Sequence, residues 1–275
     1  MYPHDVRLFG ADIAIWNVAL LVAVIAGYPL LIAAFRLRRR GPLPRLLPLR
    51  WLATVYVSAL GAQLFAYAFD THTTLLPPPT VSWLRYYFDP LFAAKTLYGA
   101  IVFLPLTALL ISVPWRDLAF GEALDCWTPA MFAVLGICRV GCFLQGCCYG
   151  MRSDRFGLSF PPLGEIFYSQ VQAGLIDEHA AATLPVVPTQ ALEAFFLFAL
   201  CAWSSRELSR GGQSIFPIGI VLYSVFRFLV ELLRDDVARN SFGPFSTSQW
   251  IALVMIGAYG LWGRTRTTAA MRAMS

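Results

Sequence analysis

The amino-acid sequence predicts an all-α integral membrane protein of about seven transmembrane helices, and three observations carry that expectation. Hydrophobic residues make up 58% of the 275-residue chain and charged residues only 13%, against about a quarter charged in an ordinary soluble domain. Mean hydropathy is +0.62. The apolar residues gather into seven stretches separated by arginine-rich connections. So little charge cannot cover a globular surface, which makes lipid the expected solvent. Disordered, collagen-like and disulfide-scaffold classes are excluded by the same composition.

A bilayer core takes about 20 apolar residues per helix. The stretches run over 13–35, 51–69, 90–113, 123–146, 189–203, 214–233 and 249–262. The fifth and seventh are short and are expected to begin earlier or to tilt. The first is read as a span rather than a cleavable signal. It is too long, lacks a basic leader, and is followed by an arginine cluster instead of a cleavage site. No internal repeat, low-complexity tract or soluble linker interrupts the chain, so residues 1–275 form a single polytopic domain. The connection 147–188 is its one sizeable soluble segment, expected to hold a short strand or turn and then a helix lying near the interface.

Charge sets the expected orientation. Of 21 basic residues, all but Lys95 are arginine. Arg36, Arg38, Arg39, Arg40, Arg45, Arg50, Arg116, Arg206, Arg210, Arg264, Arg266 and Arg272 fall on one side. Arg7, Arg85, Arg152, Arg155, Arg234 and Arg239 fall on the other. Positive-inside asymmetry puts the N-terminus in the periplasm and the C-terminus in the cytoplasm. The basic residues lie between spans rather than on one soluble face, which excludes nucleic acid as a partner. Arginine in excess instead suits anionic headgroups and phosphate.

Ionisable residues within spans are costly and mark function by default. Here they are Lys95, Asp125, Arg139, Glu193, Arg227 and Glu231. Arg227 and Glu231 stand four residues apart on one helix face, with Tyr223 one turn earlier, and Arg234 and Asp235 follow. An intrahelical pair that hides two charges is one reading of that spacing. The additional Arg139 and Glu193, on other spans, favour a shared polar site. The three histidines, His4, His72 and His179, all fall in extramembrane segments, so a general base inside the site must be another residue or arrive on a loop.

A second concentration is CRVGCFLQGCCYG over 138–150, which holds four of the six cysteines and glycines at 141, 146 and 150. Such glycines permit a helix break or close backbone approach. Cys142, Cys147 and Cys148 admit three readings: buried packing thiols, a redox or nucleophilic centre, including a vicinal disulfide between Cys147 and Cys148, or a soft-metal site. No resident metal is expected, because paired CxxC spacing and a local histidine are both missing. Cys126 and Cys201 read as packing residues, and no cofactor is implied.

The run RVGCFLQGCCYG at 139–150 resembles the signature of bacterial prolipoprotein diacylglyceryl transferases, G-R-x-G-N-F-x-N-G-E-x-x-G. Further blocks follow in the family's order. Trp16 and Asn17 look like its W-Y-G, YGA at 98–100 its H-G-G, and VPTQALE at 187–193 its H-P-[ST]-Q-L-Y-E. YSVFRFLVE at 223–231 is similar to Y-G-x-F-R-F-x-V-E, and STSQ at 246–249 matches L-S-x-G-Q in part. The resemblance implies a multi-pass protein of the bacterial inner membrane. It implies transfer of diacylglyceryl from phosphatidylglycerol, or another anionic phospholipid, to the lipobox thiol of a lipoprotein precursor, with release of glycerol 1-phosphate.

Carried over by position, Arg139 and Arg227 hold the phosphate, and Glu193 and Glu231 orient them. Gln190 and Tyr223 match as well and bind the substrate, and the substrate-binding set also includes Glu231, Arg234, Gly141, Gly146 and Gly150. The family's two histidines are replaced by Tyr98 and Val187, its signature Asn by Cys142 and its signature Glu by Cys147. With a reference pKa near 10, tyrosine is a poor acceptor for a thiol proton at neutral pH. The catalytic set is therefore Arg139, Arg227, Tyr98, Glu193, Cys142 and Cys147. Two other readings stand beside the transferase: a cysteine-dependent lipid or thiol-redox enzyme using Cys142, Cys147 and Cys148, and a non-catalytic phospholipid-binding relative.

Overall fold

The structure, a computed structural model, describes residues 5–8, 11–38, 42–69, 82–88, 97–112, 119–162, 164–234 and 241–274. It is mostly helical. A helix accompanies each of the seven apolar stretches: α1 (Ile15–Arg38), α2 (Leu47–Phe69), α4 (Leu97–Ser112), α5 (Phe120–Gln145), α7 (Thr189–Ser209), α8 (Ile215–Val230) and α9 (Thr247–Met274). Two short helices, α3 (Trp83–Phe88) and α6 (Glu165–Gln172), lie in connections, and a 3-10 turn, Glu231–Leu233, ends α8. The fifth stretch extends to Ser209 as α7 and the seventh begins with Thr247.

Four helices among the described residues are long and apolar enough to cross a membrane: Ile15–Arg38, Leu47–Ala68, Phe120–Gln145 and Ile215–Leu233. Large apolar side chains such as Leu21, Ile25, Phe195 and Val254 point outward, as a lipid-facing surface requires.

The helical expectation missed two small hairpins. Asp5–Leu8 (β1) pairs antiparallel with Ala11–Ala14 (β2) just before α1, and Ser241–Phe242 (β3) pairs with Phe245–Ser246 (β4) across Gly243 and Pro244. Each is closed by local hydrogen bonds, and neither leaves a helical or long alternating pattern to read.

α5 is the central helix and is buried along most of its length. It packs on α1 and on α7, while α2 pairs with α4 and α8 with α9. Small residues set these approaches, as between helices in lipid. A Cβ at Gly99 would come within 2.6 Å of the Ala62 backbone, and one at Gly141 within 2.6 Å of the Ala19 side chain. A core of Phe35, Trp127, Phe132, Phe216 and Tyr223 fills the space between the helices.

Asp125, one of the ionisable residues expected within a span, serves the fold. Its Oδ1 accepts the Phe216 N–H at 2.9 Å, so a carboxylate on α5 caps the first turn of α8, whose own Ser214 makes no side-chain cap. Asp125→Ala is expected to cost about 1–3 kcal/mol by leaving a buried donor unmet, and Asp125→Asn, which keeps an acceptor, distinctly less. Chemical denaturation of the two variants in one detergent checks the order.

The connection between α5 and α7 is a folded cap. Isolated bridges join Gly150 to Arg234 and both Arg152 and Leu158 to Val186. The Gln170 side chain, on α6, accepts the Leu184 N–H at 2.8 Å and donates to the Leu184 carbonyl at 3.3 Å. Tyr149, Phe160, Ile166 and Val186 form a small core beneath it.

Candidate active site

The C-terminal end of α5, the N-terminal ends of α4 and α7 and the C-terminal end of α8 meet at one end of the bundle. They deliver Arg139, Tyr98, Glu193, Tyr223 and Arg227 to a single cluster, which the 3-10 turn completes with Glu231. Glu193 is its hub. Oε2 lies 2.8 Å from Arg139 Nε, and Oε1 lies 3.8 Å from Arg227 Nε. Oε1 also accepts the Tyr223 hydroxyl at 2.7 Å. Arg227 Nη2 reaches Glu231 Oε2 at 2.7 Å and Ser248 Oγ, on α9, at 3.5 Å. Arg234 Nη1 stands 3.6 Å from the same Glu231 oxygen.

The four charged side chains at the centre are buried, with Arg139 the most exposed at 7%. Buried charges persist when paired, and this network joins three arginines to two carboxylates. Arg227 Nη1 and the Tyr98 hydroxyl are among the buried groups without a hydrogen-bond partner there. The Tyr98 and Tyr223 rings lie 6.0 Å apart, centroid to centroid, so the Tyr98 hydroxyl belongs to the same locality. Buried guanidinium groups with an unmet Arg227 Nη1 and an unmet Tyr98 hydroxyl suit an anionic ligand rich in acceptors.

Beside this cluster the α5 helix ends. Gly146 takes a left-handed φ of 65° and its N–H bonds back to Phe143 O at 3.2 Å, a helix stop that glycine adopts without a Cβ clash. Cys148 follows with φ 58°. The turn brings the Sγ atoms of Cys142, Cys147 and Cys148 within 4.8 Å of one another. All six cysteines are free thiols, so the vicinal pair is unbonded in this structure. Arg139 Nη1 lies 3.9 Å from Cys142 Sγ. Hydrogen bonds from Cys142 and Cys147 hold the Cys148 thiol below the usual cysteine range, with Arg234 and Arg139 acting the same way. Cys147, sharing its proton with Cys142 and Cys148, is pushed up.

Gln190 reaches the site through its Nε2, which donates to the Cys147 carbonyl. The three glycines enter through the backbone: Gly141 admits α1 beside Trp16, Gly146 ends α5, and Gly150 lies against the Leu233 carbonyl, Thr189 and Val187.

Sequence reasoning passed over Ser248 and Thr189. Ser248 falls in the STSQ block, the one signal that could have found it. Thr189 Oγ1 donates to the Cys148 carbonyl at 2.8 Å. His179 is 87% exposed beside Glu178, so no histidine joins the cluster among the described residues. His4, His72, Lys95 and Asp235 lie outside the described residues.

The sequence profile of the prolipoprotein diacylglyceryl transferase family matches residues 3–263. Phosphatidylglycerol–prolipoprotein diacylglyceryl transferase 2 of Clostridium perfringens is 30% identical over 213 residues, covering 75% of this chain and 73% of that protein. The phosphatidylglycerol–prolipoprotein diacylglyceryl transferase of Clostridium tetani is 31% identical over 170 residues, 59% of this chain and 61% of its own length. The protein of the same name from Dehalococcoides mccartyi is 31% identical over 170 residues, 58% of this chain and 57% of that protein.

Proposed function

Since the chain belongs to the prolipoprotein diacylglyceryl transferase family, we propose that it moves the diacylglyceryl group of phosphatidylglycerol onto an acceptor thiol and releases glycerol 1-phosphate. The lipobox cysteine of a lipoprotein precursor is the first acceptor to test. The observation that carries this reading is the pair of buried arginines sharing Glu193, with Arg227 Nη1 and the Tyr98 hydroxyl unpartnered.

The acceptor sulfur attacks the glyceryl carbon that bears the phosphate ester. The carbon–oxygen bond breaks, and its electron pair leaves on the phosphate. Arg139 and Arg227 stand where that growing charge needs stabilising, in a site of low dielectric. Glu193 fixes both guanidinium groups before substrate arrives, so little reorganisation is left for the reaction itself. With Tyr98 and Val187 at the family's histidine positions, the thiol proton goes to water or to the released phosphate monoester, whose second pKa is about 6. Tyr98 donates to the phosphate rather than accepting a proton.

The membrane setting is part of the proposal. Seven spans place the N-terminus and the arginine–glutamate cluster on the periplasmic side of a bacterial inner membrane, and the C-terminus in the cytoplasm. Support comes from the opposite end of the bundle. There Arg38 Nη1 donates to the Gly212 carbonyl at 2.9 Å, which draws the segments carrying Arg36, Arg206 and Arg210 into one basic rim of the kind that positive-inside asymmetry assigns to the cytoplasm.

The test is purified protein with headgroup-labelled phosphatidylglycerol, with and without a lipobox peptide. Release of labelled glycerol phosphate together with a diacylglyceryl mass gain on the peptide cysteine is expected, and absence of both overturns the reading. Tyr98→Phe is expected to lower release by about tenfold, the value of one hydrogen bond to a charged group. An unchanged rate would remove Tyr98 from the phosphate site.

A further inference from the structure

The transferase chemistry leaves the three-thiol cluster without a task. Cys142, Cys147 and Cys148 come from both sides of the α5 terminus, yet their sulfur atoms all lie within 4.8 Å of one another. An ion held at a metal–sulfur distance of about 2.3 Å spaces its thiolates about 4 Å apart, which small side-chain rotations reach from here.

The backbone is shaped to hold this arrangement. Cys147 N–H bonds to the Cys142 carbonyl at 3.2 Å. Cys148 keeps a left-handed φ of 58°, a conformation unfavourable to a residue with a Cβ and sustained only where its surroundings enforce it. The first turn of α7 provides that enforcement, with Gln190 bonded to the Cys147 carbonyl and Thr189 to the Cys148 carbonyl. Thiols that merely pack need no such turn, whereas converging ligands do. Cys142 is buried while Cys147 and Cys148 are half-buried, so an ion has a side from which to enter.

We propose that Cys142, Cys147 and Cys148 form a three-thiolate site for a thiophilic divalent cation of the zinc class, adjoining the arginine–glutamate cluster. The donor set decides the class. Three soft sulfurs with no carboxylate in the cluster select against magnesium and calcium. Charge decides the valence. Binding forms three metal–sulfur bonds and releases three thiol protons to solvent, so a divalent ion leaves a complex of charge −1. Arg139 Nη1, 3.9 Å from Cys142 Sγ, lies beside that charge. A monovalent ion would leave −2 there. Three ligands also leave one position of a tetrahedral ion unfilled.

The test is independent of transferase activity. Reduced, detergent-solubilised full-length protein is titrated with Cd2+, whose thiolate complexes absorb in the ultraviolet, and with Zn2+ as competitor. One Cd2+ per chain is expected, with a sulfur-to-metal charge-transfer band that Zn2+ abolishes and three of the six thiols protected from a thiol reagent. Cys142→Ser, Cys147→Ser and Cys148→Ser are each expected to weaken binding at least tenfold, while Cys126→Ser and Cys201→Ser leave it unchanged. Circular dichroism confirms that each variant folds. Absence of the band in the folded parent protein overturns the proposal. So does a band that survives in the triple variant, or reagent access to all six thiols with Cd2+ present.

Discussion

Replacing Arg227 with alanine is expected to lower glycerol-phosphate release by about 100- to 1000-fold, the usual cost of removing a preorganised donor from a developing oxyanion. Arg227 earns that expectation by bridging both carboxylates of the cluster. It joins Glu193, Glu231 and Ser248, and still keeps Nη1 for a ligand. Alanine also leaves Glu231 short of its nearest cation, so a fall in rate could arise from misfolding. Arg227→Lys separates the two causes. A lysine keeps the charge and much of the stability, but a single ammonium cannot span two carboxylates and a phosphate. The expected outcome is a melting temperature near that of the parent protein and a rate at least tenfold lower. A lysine variant with full activity would mean that charge alone suffices and that the fork geometry is irrelevant.

Glu193→Ala is expected to cost about 3–5 kcal/mol of stability, as breaking a buried ion pair from one side does. Two guanidinium groups, Arg139 and Arg227, would then lie in the bundle without their shared counter-ion, and the Tyr223 hydroxyl would lose its acceptor. Glu193→Gln retains an acceptor for Tyr223 but no charge, and should fall between. The informative measurement is a double-mutant cycle with Arg139→Ala, followed by denaturant unfolding. The pair should show coupling, the double variant being more stable than the sum of the single losses predicts. Additive losses would show that Glu193 and Arg139 do not stabilise one another.

The sequence made much of this site legible because lipid filters composition so severely. In apolar stretches, Arg139, Glu193, Arg227 and Glu231 stand out against their neighbours, and the cost of burying them predicts that they meet. They do, around Glu193. The four-residue spacing of Arg227 and Glu231 likewise becomes a 2.7 Å contact. What stayed hidden depended on partners distant in the chain. Nothing around Asp125 announces that it caps α8 through Phe216. Spacing along the chain does not reveal that the three sulfurs converge within 4.8 Å. Convergence comes from two successive left-handed turns, at Gly146 and Cys148, and from the first turn of α7 pinning the carbonyls. The hairpin before α1 escaped notice because four-residue strands leave no periodic trace.

The three-way sharing of Glu193 also constrains how the protein is made. Arg139 is synthesised first, on α5, and its counter-ion arrives only with α7, after the whole 147–188 segment. Arg227 comes later still, on α8. α5 therefore reaches the translocation machinery carrying a charge whose partner has yet to emerge from the ribosome. Retention of α5 beside the exit channel until α7 arrives lets Arg139 and Glu193 leave for the lipid as a neutral pair, with Arg227 completing the set. The residues expected to bind the phospholipid thus double as a checkpoint in assembly, and a chain that ends before α7 carries Arg139 without Glu193.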